Sequence, residues 1–525
     1  MRPVYPILIR NEFGPLLRIE ITVGKVDPTN VHARDDVRLT SVSLSLEGTD
    51  DLADLQSLTL YSTGDSEDLV QRQYPETYRM RETVFRTPFG QPQAPRRTMT
   101  FPADMVLCKG LNVFWVSGRL KDSASLFHRL KLSCTAIGTT AGSLAPMDPT
   151  PGVRQRIGVA VRKHKDNGVD TYGVPSLTTT AAGTLLAVYD ARWRSPGHDL
   201  QGDIDTGLSR STDGGRTWEP MRIIMDMGEF GGLPQDQNGV SDPGIIVDQQ
   251  TGEIFCFAVW MNGKPGKHQW VGDGGAPGFE IGVAPQIILV RSSDDGRTWS
   301  APQDLTRTLK KAAWWLFAPA PQQGFQIADG TLVMPMEGRD ETGRKFSTIM
   351  TSLNHGTTWT VGTPVLSDGE CAAAQLGDGS IMLNTRNREQ ESPATFHFRG
   401  VYITRDFGRT WTDHPTNFNT LIDPTCNGTL LRMNYEDGGG RHHLLLFANP
   451  HARIRMDQTI QVSFDDGLTW PRDHDLLLDH GFGWGYPSLT RVDAGHVGIL
   501  YGGSQADLTF QSIPLSELLT PLSQP

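Results

Sequence analysis

The sequence predicts an all-β protein, a six-bladed β-propeller preceded by a β-sandwich, and three observations lead there. The 525 residues include 56 Gly and 34 Pro, and stretches of helical period are few, as expected of a chain dense in turns. Short segments near the amino terminus alternate apolar and polar residues with the two-residue period of a half-buried strand. Further on, one eight-residue turn, first written STDGGRTW from Ser211 to Trp218, is followed by four near copies.

The first region spans residues 1–137. A chain of this length exceeds one ordinary core and predicts about two to four domains. In LLRIEITVGK, Leu17, Ile19, Ile21 and Val23 alternate with polar neighbours, and Val42, Leu44 and Leu46 do the same in LTSVSLSLEG. NVFWVSGRLK is a further strand. These are the half-buried strands of a sandwich. No acids, histidines or nucleophiles are grouped among them, so the expected role is packing or sugar binding. Residues 138–152, GTTAGSLAPMDPTPG, interrupt the strand pattern with small residues and three prolines, as an inter-domain linker would. Residues 153–525 then form the propeller, expected to be the catalytic domain.

The turn recurs as SSDDGRTW at Ser292, SLNHGTTW at Ser352, TRDFGRTW at Thr404 and SFDDGLTW at Ser463. It reads as a hairpin device. The Asp carboxylate accepts backbone N–H bonds within its own turn, Gly supplies a positive φ, and Trp pins the turn onto the neighbouring sheet. Copies about 50 to 80 residues apart suit one four-stranded blade each, and six blades of about 60 residues fill the region. A calcium loop is the rival reading of DDG, but no copy adds acids at alternating positions or a closing Glu. The turn builds a fold and says nothing directly about chemistry.

The net charge of -11 comes without acidic or basic runs, which excludes the clustered Lys/Arg footprint of a nucleic-acid binder. Cys108, Cys134, Cys256, Cys371 and Cys426 are widely spaced with no CxxC pair, so buried, reduced thiols are expected. The amino terminus lacks a continuous apolar segment with a cleavage site, and no stretch is apolar enough to insert in a membrane.

The repeats, together with YDARWRSPGHDLQGDIDTGLSRSTDGG, QNGVSDPG, ECAAAQLGDGSIMLNTRN and WGYPSL in that order, resemble bacterial sialidases (neuraminidases) with Asp-box (BNR) repeats and an N-terminal β-sandwich. The resemblance implies cleavage of a terminal sialic acid. That sugar carries a carboxylate on its anomeric carbon and repels an anionic nucleophile, whereas a Tyr phenol relieved of its proton by a Glu can attack. A separate acid protonates the leaving oxygen, and arginines hold the carboxylate by paired hydrogen bonds.

By resemblance Tyr486 is the nucleophile and Glu370 its base, on different blades, able to meet only at the central axis. Asp199 in GHDLQGDID is the acid/base, preferred over the crowding Asp203 and over Asp205, which falls in the next predicted strand; His198 is incidental. Asp242 and nearby Asn238 line the sugar pocket. Arg386 and Arg455 resemble the second and third members of an arginine triad, with Arg453 competing for the latter place, and Arg192 is an additional pocket arginine. The first triad member is absent: the family's Arg-Ile-Pro reads Gly173-Val-Pro here. The Glu that supports that arginine is also absent, with Gly502 in its place. An unpaired buried Glu would be costly, so the double loss is physically consistent and implies a remodelled pocket. The two glycines are expected to vacate volume that Arg194, Arg388 or a bulkier substrate group fills.

The function implied is that of a retaining exo-glycosidase of exo-α-sialidase type acting on sialylated glycans or glycoproteins. It requires neither metal nor cofactor, binds no nucleic acid and inserts in no membrane. The alternatives are the same fold acting on another acidic sugar or giving an anhydro product, and a non-catalytic glycan-binding propeller. Family habit places such enzymes in the extracellular space or the periplasm, and the lack of a signal segment in this sequence keeps a cytoplasmic location open.

Overall fold

In the computed structural model the described residues are 4–24, 34–64, 71–73, 81–83, 87–147, 153–194, 202–262, 275–367, 369–387 and 397–521. The chain is about 53% strand and 5% helix among its described residues. It divides into two compact units, residues 1–160 with 478–481, and 161–477 with 482–525.

The first unit holds two four-stranded sheets. One orders Pro15–Val23, Gly110–Leu120, Leu55–Gly64 and Thr87–Gln93; the other orders Gly142–Leu144, Ser133–Thr139, Arg34–Ser45 and Thr98–Cys108. Leu39, Val42, Leu44, Leu58, Leu60, Phe101 and Phe114 are buried, and a sandwich core is what strands of period two produce when their apolar faces meet. The segment expected to open the linker is instead sheet: Ile137 to Thr139 pairs with Gly142 to Leu144. Its small residues build a tight hairpin, with Ala141 N–H donating to Thr139 Oγ1 at 3.2 Å. Residues 148–152 lie outside the described residues.

The second unit is a propeller of six consecutive antiparallel blades, the first two joined into one eight-stranded sheet where Ile204 pairs in parallel with Gly239. Their innermost strands begin at Thr171, Asn238, Leu316, Cys371, Thr429 and Gly485. The repeated turn always follows the third strand of its blade, after Ile204–Ser211, Gln286–Ser292, Lys345–Ser352, Gly400–Thr404 and Gln458–Ser463. In the first copy Ser211 Oγ and Thr217 N–H donate to Asp213 Oδ1, each at 2.9 Å, and Thr217 Oγ1 donates to Asp213 Oδ2 at 2.6 Å. The same pattern holds around Asp294, Asp406 and Asp465, and around Asn354 with its carboxamide. Trp218 meets Phe510 of the sixth blade with ring centroids 5.2 Å apart, and Trp359 meets Phe257 of the second at 5.3 Å. Glycine is required at the contact: a Cβ on Gly215 would stand 2.0 Å from the Phe510 ring.

Between blades the cores are apolar. Leu186, Val188, Leu208, Val240, Ile245, Trp260 and Val290 fill the space between the first two. The channel itself is polar. Gln322 donates to Pro487 O at 2.8 Å and Gln323 to Leu489 O at 2.7 Å, crossing from the third blade to the sixth. Past these bonds, toward the carboxyl ends of the inner strands, lies a cavity of about 950 Å³ that includes Thr179, Gln326, Gln375, Arg432 and Arg491. The other mouth, at the amino ends of the same strands, gathers the predicted site. All five cysteines are free thiols; Cys256, Cys371 and Cys426 are buried, whereas Cys108 and Cys134 are half-buried.

Candidate active site

Three inner strands enter the channel through the same local distortion. In Gly173-Val-Pro-Ser, Ser241-Asp-Pro-Gly and Gly485-Tyr-Pro-Ser the strand register shifts, and the residue before proline takes φ of 49°, 54° and 49° respectively. A β-bulge re-aims the side chain at its centre. A left-handed backbone at a residue other than glycine costs of order 1–3 kcal/mol and persists only where its surroundings impose it. The three motifs share a small residue, a variable residue, proline and a second small residue, and it is this shared pattern that presents Val174, Asp242 and Tyr486 at one mouth. The strands of Gly173 and Tyr486 run side by side, joined by Leu177 N–H to Ser488 Oγ at 2.9 Å.

Tyr486 and Glu370 meet as the sequence predicts. Tyr486 Oη donates to Glu370 Oε1 at 2.5 Å, across 116 residues of chain. Arg386 Nη1 donates to Tyr486 Oη at 3.1 Å and lies 2.6 Å from Glu370 Oε2. Arg386 N–H also donates to Glu370 O at 2.8 Å, so base and arginine are fixed to each other through the backbone. Arg455 lies over the Tyr486 ring at 5.2 Å and donates to the carbonyls of Trp484 and Thr425 at 3.2 and 3.0 Å. Its competitor Arg453 is exposed.

Burial alone would raise the Glu370 carboxyl, but the Arg386 guanidinium, the Tyr486 hydroxyl and Arg455 hold it below its ordinary value. Burial and then the Glu370 charge drive the Tyr486 phenol well above its ordinary value. The pair therefore rests as a neutral phenol hydrogen-bonded to a carboxylate. Such a phenol becomes nucleophilic as its proton passes to the carboxylate, and the adjoining guanidinium stabilises the charge that develops.

On the first two blades Asp190 organises the remaining residues. It is fully buried, and its Oδ2 accepts from Arg192 Nη2 at 2.9 Å and Ser241 Oγ at 2.7 Å, while Oδ1 accepts from Asp242 N–H at 3.0 Å. Asn238 is 1% exposed, and its carboxamide is engaged with Gly228 O, Leu233 O, Pro234 O and Trp260 Nε1, which shapes the 228–234 loop. Asp199, His198 and Arg388 lie outside the described residues. Asp205 sits on its predicted strand, paired with Ala191, and accepts from Trp193 Nε1 at 2.7 Å. Burial, then the charge of Asp226, push its carboxyl up to about 7.

The expectation about vacated volume is corrected by the packing at Gly502 and not at Gly173. A Cβ on Gly502 would stand 2.5 Å from Trp484 Cβ, so that space is filled by Trp484 and holds no void. A Cβ on Gly173 would face the Arg192 guanidinium, 3.9 Å from Nε and 4.0 Å from Nη2. The arginine beside Gly173 is thus Arg192. Arg194 is turned away, toward Asp203 and Asp236 at 3.6 and 3.3 Å.

Comparison with known proteins bears on both units. Residues 1–142 match the N-terminal domain of BNR-repeat neuraminidase, and residues 183–499 match the BNR repeat-like domain. A sialidase of Bacteroides fragilis is 35% identical over 522 residues, covering 96% of this chain and 94% of its own. The structure of a Hadza microbial sialidase superposes with a TM-score of 0.85 at 34% identity, covering 98% of both chains. A leech intramolecular trans-sialidase shares the fold at a TM-score of 0.57 and 15% identity, over 97% of this chain and 99% of that one.

Proposed function

The chain belongs to the BNR-repeat sialidase family, and from that premise we propose that it releases terminal sialic acid from glycoconjugates with retention of configuration, using Tyr486 as nucleophile. It is a glycoside hydrolase. Glu370 Oε1 takes the phenolic proton as Tyr486 Oη bonds to the anomeric carbon, and the departing glycosidic oxygen receives a proton from Asp199. Water then attacks the glycosyl–tyrosine bond on the face that the leaving group vacated, Asp199 accepts its proton, and Glu370 returns the first proton to Tyr486. A neutral phenol approaches the carboxylate-bearing carbon without charge repulsion, and Arg386 compensates the charge released as the proton moves.

Arg386 and Arg455 hold the substrate carboxylate in this reading, and Arg192 borders it across the open position at Gly173. Asp242, fixed through its own N–H by Asp190, lines the sugar beside Arg192. The observation that carries the reading is the 2.5 Å bond from Tyr486 Oη to Glu370 Oε1 beneath one shared guanidinium nitrogen. Isolated aromatics and acids have no reason to meet in this way at a channel mouth.

Proton NMR of sialyl-lactose hydrolysis is the test. The α-anomer of free sialic acid is expected first, with the β-anomer growing in by mutarotation. Initial appearance of the β-anomer, or of an anhydro sugar alone, would overturn retaining hydrolysis.

A further inference from the structure

Tyr486 is held in a backbone state that its sequence disfavours. It precedes Pro487, a position biased toward extended backbone, yet its φ is 49° and the register shifts between Gly485 and Ser488. A bulged residue leaves the sheet ladder, so its N–H needs another acceptor. At the equivalent point of the second blade a carboxylate serves: Asp242 N–H donates to Asp190 Oδ1 at 3.0 Å. At Tyr486 the acceptor is a thiol, Cys426 Sγ, at 3.2 Å.

Cys426 is itself fixed on every polar group. Its Sγ donates to Trp484 O at 3.5 Å, its N–H donates to Asp423 Oδ1 at 3.3 Å, and its carbonyl accepts from Arg399 Nη1 at 2.9 Å. A Cβ on Gly485 would stand 2.7 Å from that sulfur, so thiol and bulge are in close contact. Arg399 and Asp423 are both fully buried and lie 3.4 Å apart. The same pair grips the chain on both sides of Arg386: Arg399 Nε donates to Asn384 Oδ1 at 2.6 Å, and Asn387 N–H donates to Asp423 Oδ2 at 2.7 Å. One buried ion pair thus sets both the strand end that carries Arg386 and, through Cys426, the bulge that carries Tyr486.

We propose that Cys426 is a positioning residue for Tyr486, its sulfur locking the left-handed bulge and registering the phenol, through Arg399 and Asp423, against Glu370 and Arg386. The inference rests on Tyr486 being the nucleophile. A phenol displaced by a fraction of an ångström loses its 2.5 Å bond to Glu370, and displacement of about 1 Å costs on the order of a hundredfold in rate.

The test is steady-state kinetics on a methylumbelliferyl sialoside across pH, with a melting curve for each protein: wild type, Cys426→Ala, Cys426→Ser and Tyr486→Phe. Cys426→Ala is expected to lower kcat about tenfold to a hundredfold while KM changes by less than about threefold. Its acidic limb is expected to move up in pH, because a loosened Tyr486 no longer helps to hold the Glu370 carboxyl down. Cys426→Ser keeps an acceptor on a shorter bond and is expected to fall between the two, with a shift of the same sign. A purely structural role would lower the melting temperature and leave the acidic limb in place. Wild-type kcat and acidic limb in Cys426→Ala overturn the proposal, whatever the melting temperature; if that variant does not fold, the same result in Cys426→Ser overturns it. Activity retained in Tyr486→Phe would remove the nucleophile reading itself, whereas an inactive Tyr486→Phe beside an unaltered Cys426→Ala removes only the positioning role.

Discussion

At the rim of the propeller the same bonds recur around Asp213, Asp294, Asn354, Asp406 and Asp465, each closed within its own eight residues. At the channel mouth the same bulge recurs at Val174, Asp242 and Tyr486, but the groups that hold it at Asp242 and Tyr486 come from distant parts of the chain and differ in kind. Asp190 takes the N–H of Asp242 from 52 residues away, and Cys426 that of Tyr486 from 60. The rim repeats because it solves one folding problem per blade. The mouth varies because a reaction needs unlike groups, a phenol, a carboxylate and guanidiniums, brought to one place.

If the mouth carries the chemistry, Glu370→Gln has the largest effect. It keeps the shape and removes the proton acceptor, so kcat is expected to fall by about a hundredfold to ten-thousandfold with KM little changed, as read by initial rates. The wild-type pH profile follows from the same residue. Glu370 must be ionised to accept the proton, so activity rises as pH rises through its pKa. Because that pKa is held below the ordinary Glu value, the acidic limb belongs on the acid side of the usual Glu range.

The rim gives the opposite signature. Asp465→Ala removes the acceptor for Ser463 Oγ, Thr469 N–H and Thr469 Oγ1, and is expected to cost about 1–2 kcal/mol of stability in denaturant unfolding, with kcat unchanged. A fall in kcat without a fall in stability would break the division between rim and mouth. The smallest effect sharpens it. A methyl group fits at Gly173, since no heavy atom stands closer than 3.9 Å to the new Cβ, but it covers the face of Arg192. Gly173→Ala is expected to raise KM by less than about tenfold and to leave kcat and melting temperature in place, which isokinetic titration with sialyl-lactose would show. An unchanged KM would mean that Arg192 does not reach the substrate past this position.

The same contrast explains what the sequence revealed. The rim turns were legible because Ser, Asp, Gly, Thr and Trp satisfy one another over a span of eight letters. Tyr486, Glu370 and Arg386 were legible through flanking segments, and their meeting could be anticipated even though the bonding partners are 116 and 100 residues apart. Other features depend on neighbours that no local pattern names. Trp484 fills the space at Gly502 within the sixth blade, whereas Gln322 and Gln323 stitching the channel and a cysteine holding a tyrosine backbone are contacts between blades. The Gly138–Leu144 run was misread for a related reason: small residues mark a linker and a tight hairpin equally well, and only the partner strand distinguishes them.

The most direct test of the Tyr486 assignment uses a fluorinated sialic acid that loses fluoride from its anomeric carbon and carries a second fluorine on the adjacent carbon, which slows hydrolysis of any glycosyl–enzyme intermediate. Intact mass and peptide mapping after incubation are expected to show one adduct per chain, on the peptide containing Tyr486, and none on Tyr486→Phe. An adduct on another residue, or an active enzyme that turns over substrate and forms no adduct, would contradict the account.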